Sequence, residues 1–251
     1  MIVQGLQSEE QVLFDQILSN NIGILESELV KSENPVKLAK NLLAQLLTIV
    51  QSIGKVWNAE HDLQGKLQST RETISIENIS NFYSNCKPLF ELIRSRLPIL
   101  RSEKKIAIGT LVNTHTISEV LELQLREKGY LTYYWGTSLT LKEIKDKQDL
   151  SPANVFVFSC MGVNRELNCF EELGKIRETY PDLTIIVGGP AFPIFLLLKE
   201  NKEHTALTEP YKNPIYETEI NQALNLKEFV RKVFQVEYCE SIDEITTILE
   251  N

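Results

Sequence analysis

The sequence predicts an α + α/β protein, in which an N-terminal helical bundle is followed by a domain with a five-stranded parallel sheet. Up to about Arg96 the apolar residues recur three and four positions apart, and almost nothing is typical of a strand. After Lys104 short apolar runs alternate with helical segments, which favours a parallel sheet. The 251 residues are enough for two domains. We therefore predict a bundle over 1–100 and an α/β domain over 101–251.

The bundle is predicted to contain four helices. Pro35 is placed as a first-turn proline, with Asn34 or Ser32 as the cap before it, and Pro98 closes the last helix. An apolar stripe broad enough to face a shared core follows Pro35: Leu38, Leu42, Leu43, Leu46, Leu47 and Val50. The predicted helices span 7–30, 35–55, 57–73 and 76–95.

The α/β domain begins with a strand over Lys105–Leu111 and a helix over Ile117–Lys128, which Gly129 ends. The same pattern then repeats along the chain. Because right-handed crossovers place helices on both faces, these strands are predicted to be parallel and buried. The later strands are predicted at 131–135, 155–159, 184–187 and 233–238, and the later helices at 140–147, 165–179, 194–201, 217–232 and 242–250.

Composition excludes several classes of function. A formal net charge of −8 disfavours a nucleic-acid surface, because phosphate binding requires concentrated positive charge. No run approaches the ~18 apolar residues of a membrane helix, and the N-terminus lacks the pattern of a secretory signal, so we expect a cytoplasmic protein with no membrane partner. The four cysteines form no CxxC pair, so the sequence gives no support to a zinc ribbon or a thioredoxin-like redox site.

Candidate ligand-binding residues follow three of the predicted strands. In open parallel sheets, ligands bind outside the carboxyl ends of the strands. The loops that qualify are 111–118, 159–162 and 188–192, and the first of them holds His115. With only three histidines in the chain, His115 is the one that the pattern places at this edge. At this point two interpretations of His115 stay open: a solvated loop residue and a ligand-binding residue.

The stretch from Lys105 to Phe192 resembles the cobalamin-binding domain of methionine synthase, corrinoid methyl-transfer proteins, adenosylcobalamin mutases and light-sensing regulators. The first loop of that family is Asp-x-His-x-x-Gly, the second is Ser-x-Leu or Ser-x-Thr, and the third is Gly-Gly. The corresponding residues here are Asn113, Thr114, His115 and Ser118, then Ser159, Met161 and Gly162, then Gly188 and Gly189, with Gly136 after the second strand. The resemblance implies a flavodoxin-like (Rossmann-like) fold.

The resemblance also implies that His115 ligates cobalt from below in the base-off form, in place of the cofactor's own benzimidazole, whose tail enters a slot beside the Ser and Gly-Gly loops. Two positions depart from the family. Asn113 replaces an aspartate that accepts the other imidazole proton, which predicts a weaker cobalt–imidazole bond. Ser118 replaces a glycine, so that its Cβ and hydroxyl narrow the slot. Three alternatives stay open: cobalamin, haem held by His115, or no cofactor.

The bundle resembles the cap that covers the upper face of the corrin in this family. Trp57, at the start of the predicted third helix, is the candidate contact, and His61 is the candidate upper ligand. We expect a sensor or regulator that is not itself an enzyme, with a protein partner or homo-oligomer as its output. A methyl carrier serving separate methyltransferases is the alternative. The segment of about 199–231 is predicted to be an insertion, because it exceeds what the family fold needs.

Overall fold

The computed structural model describes residues 6–60, 76–98, 103–111, 117–160, 169–189, 192 and 226–251, with the backbone alone at 53–60, 76–80 and 117. The chain divides into two compact units, Met1–Pro98 and Ile99–Asn251. Within the described ranges, no helix combines the length and the apolarity needed to cross a membrane.

The N-terminal unit consists of helices: α1 (Ser8–Leu18), α2 (Gly23–Lys31), α3 (Pro35–Glu60) and α4 (Ile76–Arg96). Their apolar stripes form one core, because residues three and four apart share a helix face. The members of this core with almost no exposed surface include Phe14, Ile17, Leu29, Leu43, Leu46, Phe82, Phe90 and Ile93. Asn34 caps α3 by accepting a hydrogen bond from the backbone of Lys37 at 3.1 Å.

Two predicted helix boundaries in this unit are wrong. The segment 7–30 contains two helices, because Asn20 adopts a left-handed φ of 54° that ends the first. The predicted break near residue 56 does not exist, and α3 continues to Glu60. Its glycine, Gly54, does not end the helix, since a glycine in a helix costs only about 1 kcal/mol. Trp57 therefore lies near the end of α3, and 61–73 lies outside the described residues.

The C-terminal unit is a parallel α/β sheet, which confirms the predicted fold class. All four strand pairings are parallel, and the order β2-β1-β3-β4-β5 is that of flavodoxin-like folds. Its elements are β1 (Lys105–Leu111), α5 (Ile117–Glu127), β2 (Leu131–Leu139), α6 (Leu141–Leu150), β3 (Val155–Ser159), α7 (Cys169–Thr179), β4 (Thr184–Gly188), α8 (Leu226–Phe234), β5 (Glu237–Tyr238) and α9 (Ile242–Glu250).

Alternation along the strands divides the core between the two faces of the sheet. Helices α5 and α9 cover one face, with Leu125 and Ile245 against Ile108 and Val157. Helices α6, α7 and α8 cover the other face, which is more aromatic. Its buried residues include Trp135, Phe156, Phe158, Phe170, Phe192, Phe229 and Phe234.

The edge strands differ from their predicted bounds. β2 extends past Trp135 to Leu139, because Gly136 has a φ of 96° and the register with β1 shifts there, so that pairing resumes beyond it. β5 is shorter than 233–238, because α8 runs to Phe234 and a left-handed Gln235 (φ 55°) precedes the strand.

The predicted insertion of about 199–231 is partly described. Residues 199–225 lie outside the described part of the chain, as does the predicted helix 194–201. Residues 226–231 belong to α8, whose Phe229 and Val230 are 1% and 0% exposed. This end of the segment is therefore part of the domain core.

Candidate functional site

A row of small residues lies at the carboxyl edge of the sheet, at or next to the last residue of three adjacent strands. The register pairs Thr110 of β1 with Ser159 of β3, and Ser159 with Gly188 of β4. All three positions belong to the face covered by α5 and α9, because they lie two residues beyond an aliphatic layer on that face. That layer consists of Ile108, Val157 and Ile186. The sheet therefore changes from bulky apolar to small residues at its carboxyl edge, the edge at which open α/β sheets bind ligands.

Ser118, in the first turn of α5, closes the β1 end of this row. Its hydroxyl lies 2.8 Å from that of Thr110, and each hydroxyl can be the donor. Both residues are 0% exposed, whereas Ser159 keeps 6% of its surface accessible. A buried hydroxyl must be hydrogen-bonded, so each of these two satisfies the other. The Ser118 hydroxyl is thus built into the core.

Two glycines, the last residue of β4 and the residue after it, are required by the local backbone. A Cβ on Gly188 would stand 2.7 Å from the carbonyl oxygen of Cys239, the residue that follows β5. Gly189 has a φ of 102°, and its Cβ would stand 2.6 Å from the carbonyl oxygen of Cys160. Real Cβ atoms do not approach backbone oxygens this closely. Glycine is therefore required at both positions by chain packing, whatever binds there.

Gly136 lies away from the row, on the edge strand. It pairs with Gly109, where a Cβ would meet the side chain of Leu139 and the Gly136 carbonyl oxygen. Gly136 itself has open space around its Cα, so only its φ of 96° requires glycine. Its demonstrated role is to shape the bulge of β2.

Thiols flank the row on both faces of the sheet. Cys160, directly after Ser159, is fully buried, and its hydrogen bond with Cys169 together with burial raises the pKa of its thiol. Burial raises the pKa of Cys239 to about 11. Thiolates are the reactive form of cysteine, so these groups act as small apolar residues in the native protein.

A buried carboxyl group lies one helical turn after Ser118. Glu122 is 0% exposed and accepts a hydrogen bond of 2.6 Å from the hydroxyl of Thr132 on β2. Arg126 contacts the same carboxylate oxygen at 3.4 Å. Arg126 compensates the buried charge. The hydrogen bond from Thr132 links α5 to the edge strand, one helical turn beyond Ser118.

The other predicted site residues lie outside the described part of the chain: Asn113, Thr114, His115, Met161, Gly162 and His61. Only the backbone of Trp57 is described. The described residues contain no group of three or more His, Cys, Asp or Glu side chains that could hold a metal ion. The structure brings together Ser118, Ser159, Gly188 and Gly189, and it adds Thr110, which the motif does not include. Alternation from Ile108 along β1 was the signal that could have found it.

No protein-family model and no curated protein matches the chain. Among solved structures, the chain is similar to a cobalamin-binding protein from Desulfitobacterium hafniense DCB-2, with 14% identity, a TM-score of 0.38, and 72% of this chain and 83% of that chain covered. It is similar to a methanol:cobalamin methyltransferase complex from Methanosarcina barkeri, with 11% identity, a TM-score of 0.36, and coverage of 73% and 69%. It is also similar to a monomethylamine corrinoid protein from M. barkeri, with 13% identity, a TM-score of 0.49, and 94% of each chain covered.

Proposed function

We propose that this chain binds a corrinoid, the cobalamin class of tetrapyrrole, at the carboxyl edge of its α/β unit, with His115 as an axial ligand of the cobalt. The observation that carries the proposal is the row of Thr110, Ser159 and Gly188. It lies where open α/β sheets bind ligands, and two of its members are motif positions. The motif residues with described side chains thus meet in one place.

The chemistry of the row suits the rim of a corrin, whose side chains are largely amides. The Ser159 hydroxyl can donate to an amide oxygen or accept from an amide nitrogen, and it retains some exposure at this edge. The glycines at 188 and 189 leave backbone groups beside it without intervening side chains. The residues therefore fit the rim of a corrinoid ring.

Two residues of the connection between β1 and α5 complete the proposed site. His115 would hold one axial position through an imidazole nitrogen, and Asn113 would accept the proton of the other nitrogen through its amide oxygen. A bound corrinoid would supply a cobalt ion with an exchangeable ligand on its opposite face. Thr114, Met161 and Gly162 belong to the same two loops, and we assign them to the rim.

The role that we propose for binding is regulatory. The support for this role is a second compact unit, Met1–Pro98, that precedes the α/β unit. A regulator would change its hydrodynamic size or oligomeric state when the upper ligand of cobalt is exchanged. A methyl carrier would instead accept a methyl group on cobalt from a methyltransferase with no such change.

The test of binding is the visible spectrum that survives desalting. Purified protein is incubated separately with aquocobalamin, methylcobalamin, adenosylcobalamin, cobinamide and haem. We expect retention of a corrinoid at one equivalent, with a shifted spectrum that His115→Ala abolishes and the control His204→Ala preserves. Ser159→Val should weaken retention, whereas Thr184→Val at the opposite end of a strand should not.

Two results would contradict the proposal. The first is that the folded protein retains no corrinoid. If it retains haem alone, the cofactor is haem and the proposal is wrong. The second is that His115→Ala leaves a retained corrinoid spectrum unchanged, which would remove the ligand assignment.

A further inference from the structure

We infer that the Thr110–Ser118 hydroxyl pair is the specificity determinant of this site: it closes the site to the nucleotide appendage of a complete cobalamin and leaves it open to corrinoids without one. The inference rests on the proposed corrinoid binding and names the class of corrinoid. It concerns residues whose positions are described on both sides of the contact.

On this face, groups of the described residues contact both ends of the row. At β1, the two hydroxyl oxygens are 2.8 Å apart and neither residue has exposed surface. At β4, the carbonyl oxygen of Cys239 lies against Gly188 where a side chain would be. Ser159, between them, keeps 6% exposure, and Gly188 is partly exposed. A hydroxyl-sized contact is therefore available at the centre of the row, whereas the described side chains of Thr110 and Ser118 leave no opening between α5 and β1.

A group inserted between α5 and β1 would have to separate the hydroxyls of Ser118 and Thr110. An aromatic base is much wider than a 2.8 Å oxygen–oxygen contact, so α5 would have to move away from β1. That movement is opposed by the hydrogen bond from Thr132 to Glu122 and by the packing of Leu125 on the sheet. It would also leave two buried hydroxyls to find new partners. A ring that lies on the edge requires none of these changes.

The chemistry of corrinoids makes the distinction measurable. Cobalamin carries a nucleotide that ends in benzimidazole, and cobinamide has the same ring without it. A site that accommodates the nucleotide between helix and sheet gains contacts from it and prefers cobalamin. A site closed there gains nothing from the nucleotide and has to displace it, so it prefers cobinamide.

The experiment measures the affinity of both corrinoids for the unmodified protein and for three variants by visible titration. Ser118→Gly removes the Cβ and the hydroxyl. Ser118→Ala removes only the hydroxyl, and Thr110→Val removes the other hydroxyl while keeping the volume. Ser138→Gly is the matched control, because Ser138 is exposed with a φ of 57° that glycine adopts easily. Thermal unfolding without ligand verifies that each variant is folded. If Ser118→Gly does not fold, Thr110→Ser, which removes the methyl group of Thr110, takes its place.

We expect the unmodified protein to bind cobinamide at least as tightly as cobalamin. Ser118→Gly should shift the ratio of affinities toward cobalamin by about tenfold, the factor that corresponds to the upper range for one buried hydrogen bond. Ser118→Ala and Thr110→Val should shift it less, because the first keeps the Cβ of residue 118 and the second keeps the volume of residue 110. Ser138→Gly should not shift it.

Tighter binding of cobalamin than of cobinamide by the unmodified protein would overturn the inference, and so would a ratio that Ser118→Gly leaves unchanged. Both outcomes leave the proposed corrinoid site standing, since each requires that a corrinoid binds. Failure of both corrinoids to bind folded protein would instead overturn the proposed function and the inference with it.

Discussion

Four glycines of the α/β unit allow steric contact and backbone conformation to be tested separately by alanine substitution. Gly174, inside α7, has neither constraint, and Gly136 has only a left-handed φ. Gly188 has only a close contact, 2.7 Å from its Cβ position to a carbonyl oxygen. Gly189 has both, with a φ of 102° and a contact of 2.6 Å. The four variants therefore form a two-by-two comparison.

The expected changes in the free energy of unfolding follow from these contacts. Gly174→Ala should stabilise by about 0.5–1 kcal/mol, because alanine is the better helix former. Gly136→Ala should destabilise by about 1–2 kcal/mol through its φ. Gly188→Ala should destabilise by about 1–3 kcal/mol, because a backbone oxygen cannot move aside without shifting a strand. Gly189→Ala should combine the two costs and lose about 2–5 kcal/mol.

Urea unfolding followed by tryptophan fluorescence measures these changes. In a Trp57→Phe background, Trp135 is the remaining tryptophan. Its ring packs in the core of the α/β unit, with its centroid 5.2 Å from that of the Phe156 ring. The signal therefore reports on this unit alone. Equal stability of the Gly189→Ala and Gly174→Ala proteins would refute the reasoning, and so would a Gly189→Ala protein no less stable than Gly136→Ala.

Three further predictions concern buried polar groups. Thr132→Val should destabilise by about 1–3 kcal/mol in the same urea assay, because it removes the 2.6 Å hydrogen bond to the buried Glu122 carboxylate; a change below about 0.5 kcal/mol would contradict this. Arg177→Met should speed amide hydrogen exchange in 180–183, since the guanidinium donates to three carbonyls there, and unchanged exchange would show that these bonds do not order the loop. No thiol should react with a disulfide reagent at pH 8 before unfolding, because all the cysteines are buried and the pKa of Cys160 is raised; rapid native labelling would disprove their burial.

Elements with a strong hydrophobic pattern were predictable from the sequence. The strand Val155–Ser159 and the helix Ile242–Glu250 match their predicted bounds, because one is a continuous buried run and the other a sharp amphipathic pattern. Two of the bounds that failed depend on single residues with positive φ: Asn20 between α1 and α2, and Gln235 before β5. A hydrophobic pattern contains no information about such conformations.

The candidate site was also predictable only in part. The spacing of the loops predicted that Ser159 and Gly188 lie at one edge, and the sheet register makes them neighbours. The partner of Ser118 was not predictable, because its contact with Thr110 depends on where α5 crosses β1 and not on sequence distance. The requirement for glycine at positions 188 and 189 was not predictable either, since the carbonyl groups that exclude a Cβ belong to Cys239 and Cys160.

The central claim is that His115 ligates the cobalt of a bound corrinoid, and electron paramagnetic resonance of the cob(II)alamin complex tests it most directly. An axial nitrogen splits the cobalt signal, and replacing ¹⁴N by ¹⁵N changes that splitting. We predict that the splitting changes when the protein is made with ¹⁵N-labelled histidine, and that this change is lost in His115→Ala. A splitting that labelling leaves unaltered, or a change that persists in His115→Ala, would contradict the account.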